Sequence, residues 1–396
     1  MNPSAPSLMS PVVIAPGWRR LPDRLVAAGV VGALAGVALD VRHFAFAWLL
    51  AFLFWLSMSL GALFLVLLHY LCNAAWSAPL RRCGEHIAGL VFPWLALAFL
   101  PVAVLAPQIY EGIRPAAPAW YAASGFCFLV WWGLTNRLRH WSFEQDRTGA
   151  AACTTSLRRW SGVGVVGLAI TLTLAVALWL QRVTPGWFST MGGFSFFAGS
   201  VWVSLAAVYL IAVALRRFGG MAMVLRDRQF HDLGTLLLVF TILHAYFAFS
   251  QYLIVWHANL PDEAAWYGVR QRGTWFAAGL VLVFGHFLVP FLALLRVDLK
   301  LKPAWMVPLC GWVALMHYAD LAFNIEPAVA PAGWPGRWVW LDAACVALIG
   351  GVLAKVFLRN LAAYAAFPVN DPHLREAVAD DDTLDSDPVP TVGGAP

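Results

Sequence analysis

The chain has 396 residues and a formal net charge of +5, with 61% hydrophobic and only 12% charged residues. An average soluble protein carries about 25% charged residues, and a chain this poor in charge cannot build a water-facing surface, so a soluble fold is excluded. The 21 Trp, 26 Phe and 9 Tyr instead suit a bilayer interior bordered by aromatic belts.

About 20 consecutive apolar residues cross the hydrocarbon core of a membrane. Applied along the chain, that window predicts an all-α polytopic protein of ten transmembrane helices, over 25–39, 44–72, 86–106, 119–136, 161–180, 194–215, 232–255, 273–295, 304–323 and 338–357. The first is short and follows Arg19-Arg20, a context shared with secretory and twin-arginine signals. However, Trp18-Arg19-Arg20-Leu21-Pro22 lacks the polar surroundings of a twin-arginine signal. Gly29, Gly32, Ala33 and Gly36 also form a small-residue face suited to close helix packing. A retained helix is expected, with residues 1–24 as an N-terminal segment and 25–357 as the membrane domain.

Lys and Arg divide between alternate sides of the ten helices as 20 against 6. The poor side holds Arg42, Arg114, Arg182, Arg270, Arg272 and Arg337; the rich side includes Arg81 and Arg82, Arg137 to Arg159, Arg216 to Arg228 and Arg296 to Lys302. Basic residues favour cytoplasmic loops, so both termini are expected in the cytoplasm. Removing one helix would flip every later loop and destroy the split. The same asymmetry accounts for the net charge with no nucleic-acid partner. The loops of the poor side, Pro107 to Pro118, Pro185 to Gly193, Asn259 to Gly273 and Pro327 to Gly336, carry turn residues and are too short to fold alone. Residues 358–396 read as a cytoplasmic tail, largely disordered, because Asp371 and the acidic residues after it face a single Arg375 and the chain ends rich in Pro and Gly.

The six cysteines, Cys72, Cys83, Cys127, Cys153, Cys310 and Cys345, form no C-x-x-C and no C-x-x-C-H, so neither iron–sulfur ligation nor c-type haem is expected on this chain. Several lie in apolar runs, where Cys packs as a small hydrophobe.

Ionisable groups inside membrane helices are costly and point to function. The seventh helix carries His244 and Gln251, about 20° apart around the axis. The eighth has His286, followed one turn later by Pro290, whose missing N–H frees a carbonyl and can bend the helix. On the ninth, His317, Asp320 and Asn324 fall on one stripe, and Asp342 on the tenth lies at similar depth. No catalytic residue and no metal ligand is assigned. These seven residues are candidates for a proton path, because imidazole titrates near neutral pH and both accepts and donates. The competing reading is a static polar network joining helices. Haem b is disfavoured: His231, His244 and His257 recur every 13 residues, about 220° beyond three turns, and share no face. Walker A, G-x-G-x-x-G, H-E-x-x-H and G-x-S-x-G motifs are absent.

The segment Ser250-Gln251-Tyr252-Leu253-Ile254-Val255-Trp256-His257-Ala258-Asn259-Leu260-Pro261-Asp262-Glu263, continuing to Trp266-Tyr267, resembles a signature of the ActF family. These are NrfD-like membrane subunits of bacterial alternative complex III, related to the membrane subunits of polysulfide reductase. Arg42-His43-Phe44-Ala45-Phe46-Ala47-Trp48, His286-Phe287-Leu288-Val289-Pro290-Phe291 and Pro368-Val369-Asn370-Asp371-Pro372 resemble the family too, so the likeness covers about residues 40–375. His257 departs from the pattern, which has Tyr or a small residue there. The resemblance implies two four-helix bundles, about 44–180 and 194–323, flanked by the first and last helices, in the inner membrane of a bacterium. It also implies membership of a quinol:cytochrome c, or other acceptor, oxidoreductase. Partners would be a sister NrfD-like subunit, an iron–sulfur subunit, and multihaem and monohaem cytochrome c subunits, with a terminal oxidase as a further associate. Haem c and iron–sulfur clusters would sit on those partners and no cofactor on this chain. The quinol site is assigned to the sister subunit, which leaves this chain as scaffold and proton pathway, with contact to quinone an open question. The alternative from another class is a secondary transporter, whose sites sit at mid-membrane on broken helices in repeated halves; here the intramembrane ionisable residues are concentrated in the second half, with no clear pairing of interrupted helices between halves.

Overall fold

The computed structural model describes residues 16–110, 118–222, 224–365, 367–368 and 370–374, and every regular element among them is helical. Ten long rods follow one another: α1 (Pro16–Leu39), α2 (Val41–Cys72), α3 (Ala75–Val104), α4 (Pro118–Thr148), α5 (Ala151–Val183), α6 (Gly192–Phe218), α7 (Asp227–Ala258), α8 (Gly273–Leu294), α9 (Pro303–Ala328) and α10 (Gly336–Ala363). Nine of them are, among the described residues, long and apolar enough to cross a membrane. The protein is a polytopic all-α membrane protein. The exception, α4, is apolar only in its first half; beyond Thr135 it carries Asn136, Arg137, Arg139, His140, Glu144, Asp146 and Arg147 and runs past the expected end at 136.

Local chemistry sets the turns. Asp40 separates α1 from α2 and caps α2, its carboxylate accepting from the N–H groups of Arg42 at 2.9 Å and His43 at 3.1 Å. Two helices end in the left-handed region at an asparagine, α2 at Asn73 (φ 49°) and α7 at Asn259 (φ 48°), a residue that tolerates this conformation. Pro261 then opens a short helix, Pro261–Arg270.

α2 is apolar all round and buried on nearly every side, so it forms the central post. One apolar core lies between α2, α3, α4 and α5, around Phe52, Phe99, Trp131 and Trp179. The other lies among α6, α7, the end of α8 and α9, around Trp202, Tyr209, Leu233 and Val313. α1 packs against α10 through its small-residue face: a Cβ on Gly32 would lie 2.4 Å from that of Ala344, and one on Gly36 2.3 Å from Leu341. At Gly32 only glycine permits that approach, because the alanine Cβ cannot turn away, whereas at Gly36 the Leu341 side chain would have to shift.

Three expectations are corrected. The third helix, expected as one piece over 86–106, starts at Ala75 and is a succession of short α and 3₁₀ turns interrupted at Phe92 and Pro93, since proline cannot donate to the preceding turn. Arg81 and Arg82, counted above as loop residues, are buried. The tail expected from 358 continues α10 to Ala363, and Asp371 is buried against the bundle rather than solvated. Residues 1–15 and 375–396, which hold most of the N-terminal segment and the acidic tail, lie outside the described residues.

Candidate functional site

The candidate site begins with an irregularity in α8. Residues Leu282–Leu288 are π-helical, directly before Pro290. In π register the N–H of position 290 would bond to the Gly285 carbonyl, and proline has none to give. Trp312 Nε1 of α9 supplies the missing donor to Gly285 at 2.8 Å. Within this segment His286 is buried, its ring stacked between Trp202 of α6 (4.0 Å, 23°) and His244 of α7 (4.2 Å, 26°). Trp202 is itself fixed by donating Nε1–H to Thr241 Oγ1 at 2.8 Å.

His244 Nε2 stands 3.6 Å from Asp320 Oδ2 and 3.5 Å from Ser195 Oγ. Both separations exceed an ordinary hydrogen bond, so that nitrogen is committed to neither. His317 turns the other way. Ser57 of α2 gives its single hydroxyl proton to the Phe54 carbonyl at 2.8 Å, so at its 2.7 Å contact with His317 Nε2 the serine accepts and the imidazole donates. That leaves His317 Nδ1 as a bare acceptor, and it has no partner. A Cβ on Gly199 would lie 3.1 Å from His317 Cε1 and 3.5 Å from His244 Cδ2, so α6 needs a glycine where the two imidazoles converge on it.

These groups meet at the end of a cleft of about 830 Å³ between α7 and α8. Its polar end is lined by His244, His286, Asp320, Gln251 and Asn324; its walls are aromatic and aliphatic, and its side is open where Tyr246, Phe249, Leu280 and Val283 are exposed on the lipid-facing surface. A small adjoining cavity of about 50 Å³ touches His317, Asp320, Asn324 and Ser195, room enough for ordered water between polar groups. The short helix Pro261–Arg270 covers the cleft beside Asn324. Its Trp266 stacks on Trp187 (4.5 Å, 13°), and Arg270 lies 3.5 Å over the Trp266 ring while donating to the Phe323, Trp266 and Asn324 carbonyls at 2.9–3.0 Å. Among the described residues no carboxylate pairs with Arg270, and burial pulls its pKa down to about 9.

Six of the seven sequence candidates therefore line this cleft or its adjoining cavity. Gln251 sits at the rim, accepting from Ser189 Oγ at 2.7 Å, and Asn324 donates to the Asp320 carbonyl on its own helix at 2.8 Å. His317 and Asp320, three residues apart, point to different neighbours, α2 and α7, rather than to each other. Asp342 stands apart, accepting from Tyr318 Oη at 2.9 Å and facing Glu326. Ser57, Ser195, Trp202 and Arg270 were missed by sequence reasoning; only Ser57, a polar residue within an apolar run, left a local trace.

A second missed cluster lies at the face where α2 meets α3. Glu85 accepts from Arg82 Nη1 at 2.8 Å and Ser142 Oγ at 2.7 Å, with Arg81 Nε 3.3 Å away. Asp371 accepts from Arg81 Nη1 at 2.7 Å and lies 3.3 Å from His69 Nε2, while Asp146 pairs with Arg82. Burial alone would raise the Asp371 pKa, but the contact with His69 and the charge of Arg81 outweigh it and hold the carboxyl well below the usual range. The signal available was Arg81, Arg82 and Glu85 at helical spacing.

Among the described residues no group of three His, Cys, Asp or Glu side chains is placed to hold a metal ion. No known family model matches the chain, and no curated protein matches it at a significant level.

Proposed function

We propose that this chain is an integral subunit of a respiratory quinol:cytochrome c, or other acceptor, oxidoreductase of the alternative complex III type, serving as scaffold and proton pathway. The observation that carries the proton role is the buried cluster of His244, His286, His317 and Asp320: a carboxylate 3.6 Å from one imidazole, with unpartnered nitrogens on the other two. A relay needs titratable groups close together with room for water between them, and the cavity of about 50 Å³ beside His317 and Asp320 supplies that room. The proton moves between Asp320 and His244, and by ordered water between Asp320 and His317. The assignment to this class of complex comes from the signature around Ser250 to Tyr267, which the fold uses to end α7 and build the helix that covers the cleft. In this reading the chain lies in a bacterial inner membrane with both termini cytoplasmic, beside a sister NrfD-like subunit, an iron–sulfur subunit and cytochrome c subunits.

Two experiments test it. Affinity purification of the tagged chain from its native membrane should bring haem-staining partners; a chain that comes out alone supports a transporter instead. In the assembled complex, Asp320→Asn should retain assembly and lower proton-coupled quinol oxidation by about tenfold or more, since an amide cannot titrate. Wild-type turnover and proton translocation in that variant would defeat the relay.

A further inference from the structure

The polar half of α4 begins where a spanning helix meets the lipid headgroups. Its uncharged run, 119–135, covers about 25 Å at the rise of an α-helix, against about 30 Å of hydrocarbon, so Arg137 and Arg139 stand at the level of the phosphates. Antiparallel pairing brings α5 alongside in a fixed register. Trp131 Nε1 donates to Thr171 Oγ1 at 2.8 Å, Gln145 Nε2 donates to Thr154 Oγ1 at 2.8 Å, and between these two contacts the Arg137 guanidinium lies 5.5 Å over the Trp160 ring. Arg158 and Arg159 therefore share the level of Arg137 and Arg139. Toward α3, Arg139 rests against Gly89, where an added Cβ would lie 2.6 Å from its Nη1. Arg139 is half-buried and the other three are exposed. Among the described residues none of the four has a carboxylate partner, because the acids further along α4 are already taken, Glu144 by Arg147 at 2.6 Å and Asp146 by Arg82. Toward the middle of the membrane the same surface turns apolar. Arg159, Val163, Val166 and Ile170 recur at helical spacing on one exposed face of α5, with Leu129 and Trp132 exposed beside them on α4.

We propose that this face binds an anionic phospholipid, with its phosphate received among Arg137, Arg139, Arg158 and Arg159 and its acyl chains lying along the apolar stripe above them. Guanidinium groups match a phosphate through paired N–H donors, and four cations with no carboxylate among them give a positive field that an anion neutralises. A zwitterionic headgroup fits less well, since its ammonium would face four like charges. An acidic peptide would satisfy the arginines but leave the stripe of Val163, Val166 and Ile170 without a partner. Only a molecule that joins an anionic phosphate to hydrocarbon chains meets both halves of the surface at once. The inference rests on the membrane-spanning fold and on the register of α4 with α5, and is independent of the proposed respiratory function.

Photolabelling tests it on the full chain, purified with whatever partners accompany it and held in phosphatidylcholine nanodiscs. The probe is phosphatidylglycerol carrying a photoreactive diazirine on one acyl chain, present as a minor component; phosphatidylcholine with the same diazirine is the comparison. Phosphatidylglycerol should label peptides 126–132 and 163–170 several-fold more than phosphatidylcholine does, and unlabelled phosphatidylglycerol should compete. Each arginine near an anionic headgroup contributes a factor of about five to binding, so Arg137→Gln combined with Arg159→Gln should cut this labelling about tenfold or more. The paired change to Lys should hold the loss to about threefold, because the charge remains and only the planar fork is removed. Both arginines are exposed and unpaired by any carboxylate, so the melting temperature in the absence of phosphatidylglycerol should stay at the wild-type value. Arg217→Gln, which removes an arginine at the end of α6, is the control for a diffuse basic field and should leave labelling of the two peptides unchanged. Equal labelling by the two lipids, wild-type labelling in the paired Gln variant, or an equal loss in Arg217→Gln would overturn the proposal. Labelling that appears only after residues 376–396 are removed would also overturn it, and would give this face to the acidic end of the chain.

Discussion

The cluster of Arg81, Arg82, Glu85 and Asp371 and the cluster of His244, His286, His317 and Asp320 draw on similar chemistry with different closure. In the first, two arginines meet carboxylates at 2.7–3.3 Å, with Ser142 and Gln145 supplying further contacts, and every carboxylate faces a cation, although Arg81 Nε and Arg82 Nε make no hydrogen bond. In the second, the carboxylate is 3.6 Å from its imidazole, two ring nitrogens lack partners, and an open cleft adjoins them. Buried ions are tolerated when fully paired. The difference teaches that close ion pairing and the lack of an adjoining cleft, rather than the presence of ionisable residues, mark the first cluster as a structural joint.

The largest break in that comparison should come from Glu85→Gln. Removing one charge from the closed cluster leaves two buried guanidinium groups short of compensation, which costs about 3–5 kcal/mol. Thermal unfolding of the purified protein, or the amount of protein accumulating in the membrane, would show it. A loss below about 1 kcal/mol would mean the cluster is hydrated rather than closed.

Arg270→Ala should cost about 2 kcal/mol, the scale of hydrogen bonds made by a charged group, and the loss should be local. The expected readout is faster amide exchange over 261–270 with α2 unchanged, and Arg270→Lys should restore only part of the protection because it cannot reach three carbonyls as a planar fork.

The closed cluster also sets an acid limit. The Asp371 pKa is depressed on folding, so its stabilisation is fully present above the unfolded value near 3.9 and is lost as pH falls toward the folded value. The melting temperature should therefore drop on acidification below about pH 4, and Asp371→Asn should flatten that part of the profile while lowering stability at neutral pH. A profile identical to wild type would separate Asp371 from acid unfolding.

The smallest effect on stability belongs to the open cluster. Asp320→Asn should change unfolding by less than about 1 kcal/mol, because its contacts are long and its side chain is partly open to the cleft. Its effect belongs on turnover instead. A loss as large as that of Glu85→Gln would make the two clusters alike and return the second to a structural role.

Much of the site was legible in pieces. His244, His286, His317, Asp320 and Asn324 stand out because each interrupts an apolar run, and Pro290 marks the place where α8 departs from regular geometry. Their partnerships were not legible. The stripe of His317 and Asp320 suggested a direct pair, yet side chains three residues apart diverge by about 60° around a helix, enough here for one to reach α2 and the other α7. Ser57 and Ser195 look like ordinary small polar residues until packing sets them beside an imidazole.

The class of the protein and a count of roughly ten helices were legible in the sequence alone. Each rests on local quantities: the length of an apolar run, the spacing of prolines and glycines, and the asymmetric distribution of basic residues between turns. The tertiary structure alone decided that Arg81, Arg82 and Asp371 are buried, that α3 is broken, and that residues of α2, α6, α7, α8 and α9 converge on one cleft. Those outcomes depend on contacts between residues as far apart as Ser57 and His317, 260 positions along the chain. No local pattern encodes which faces of separate helices will meet; that is settled by how small residues, aromatic rings and paired charges fill the space between them.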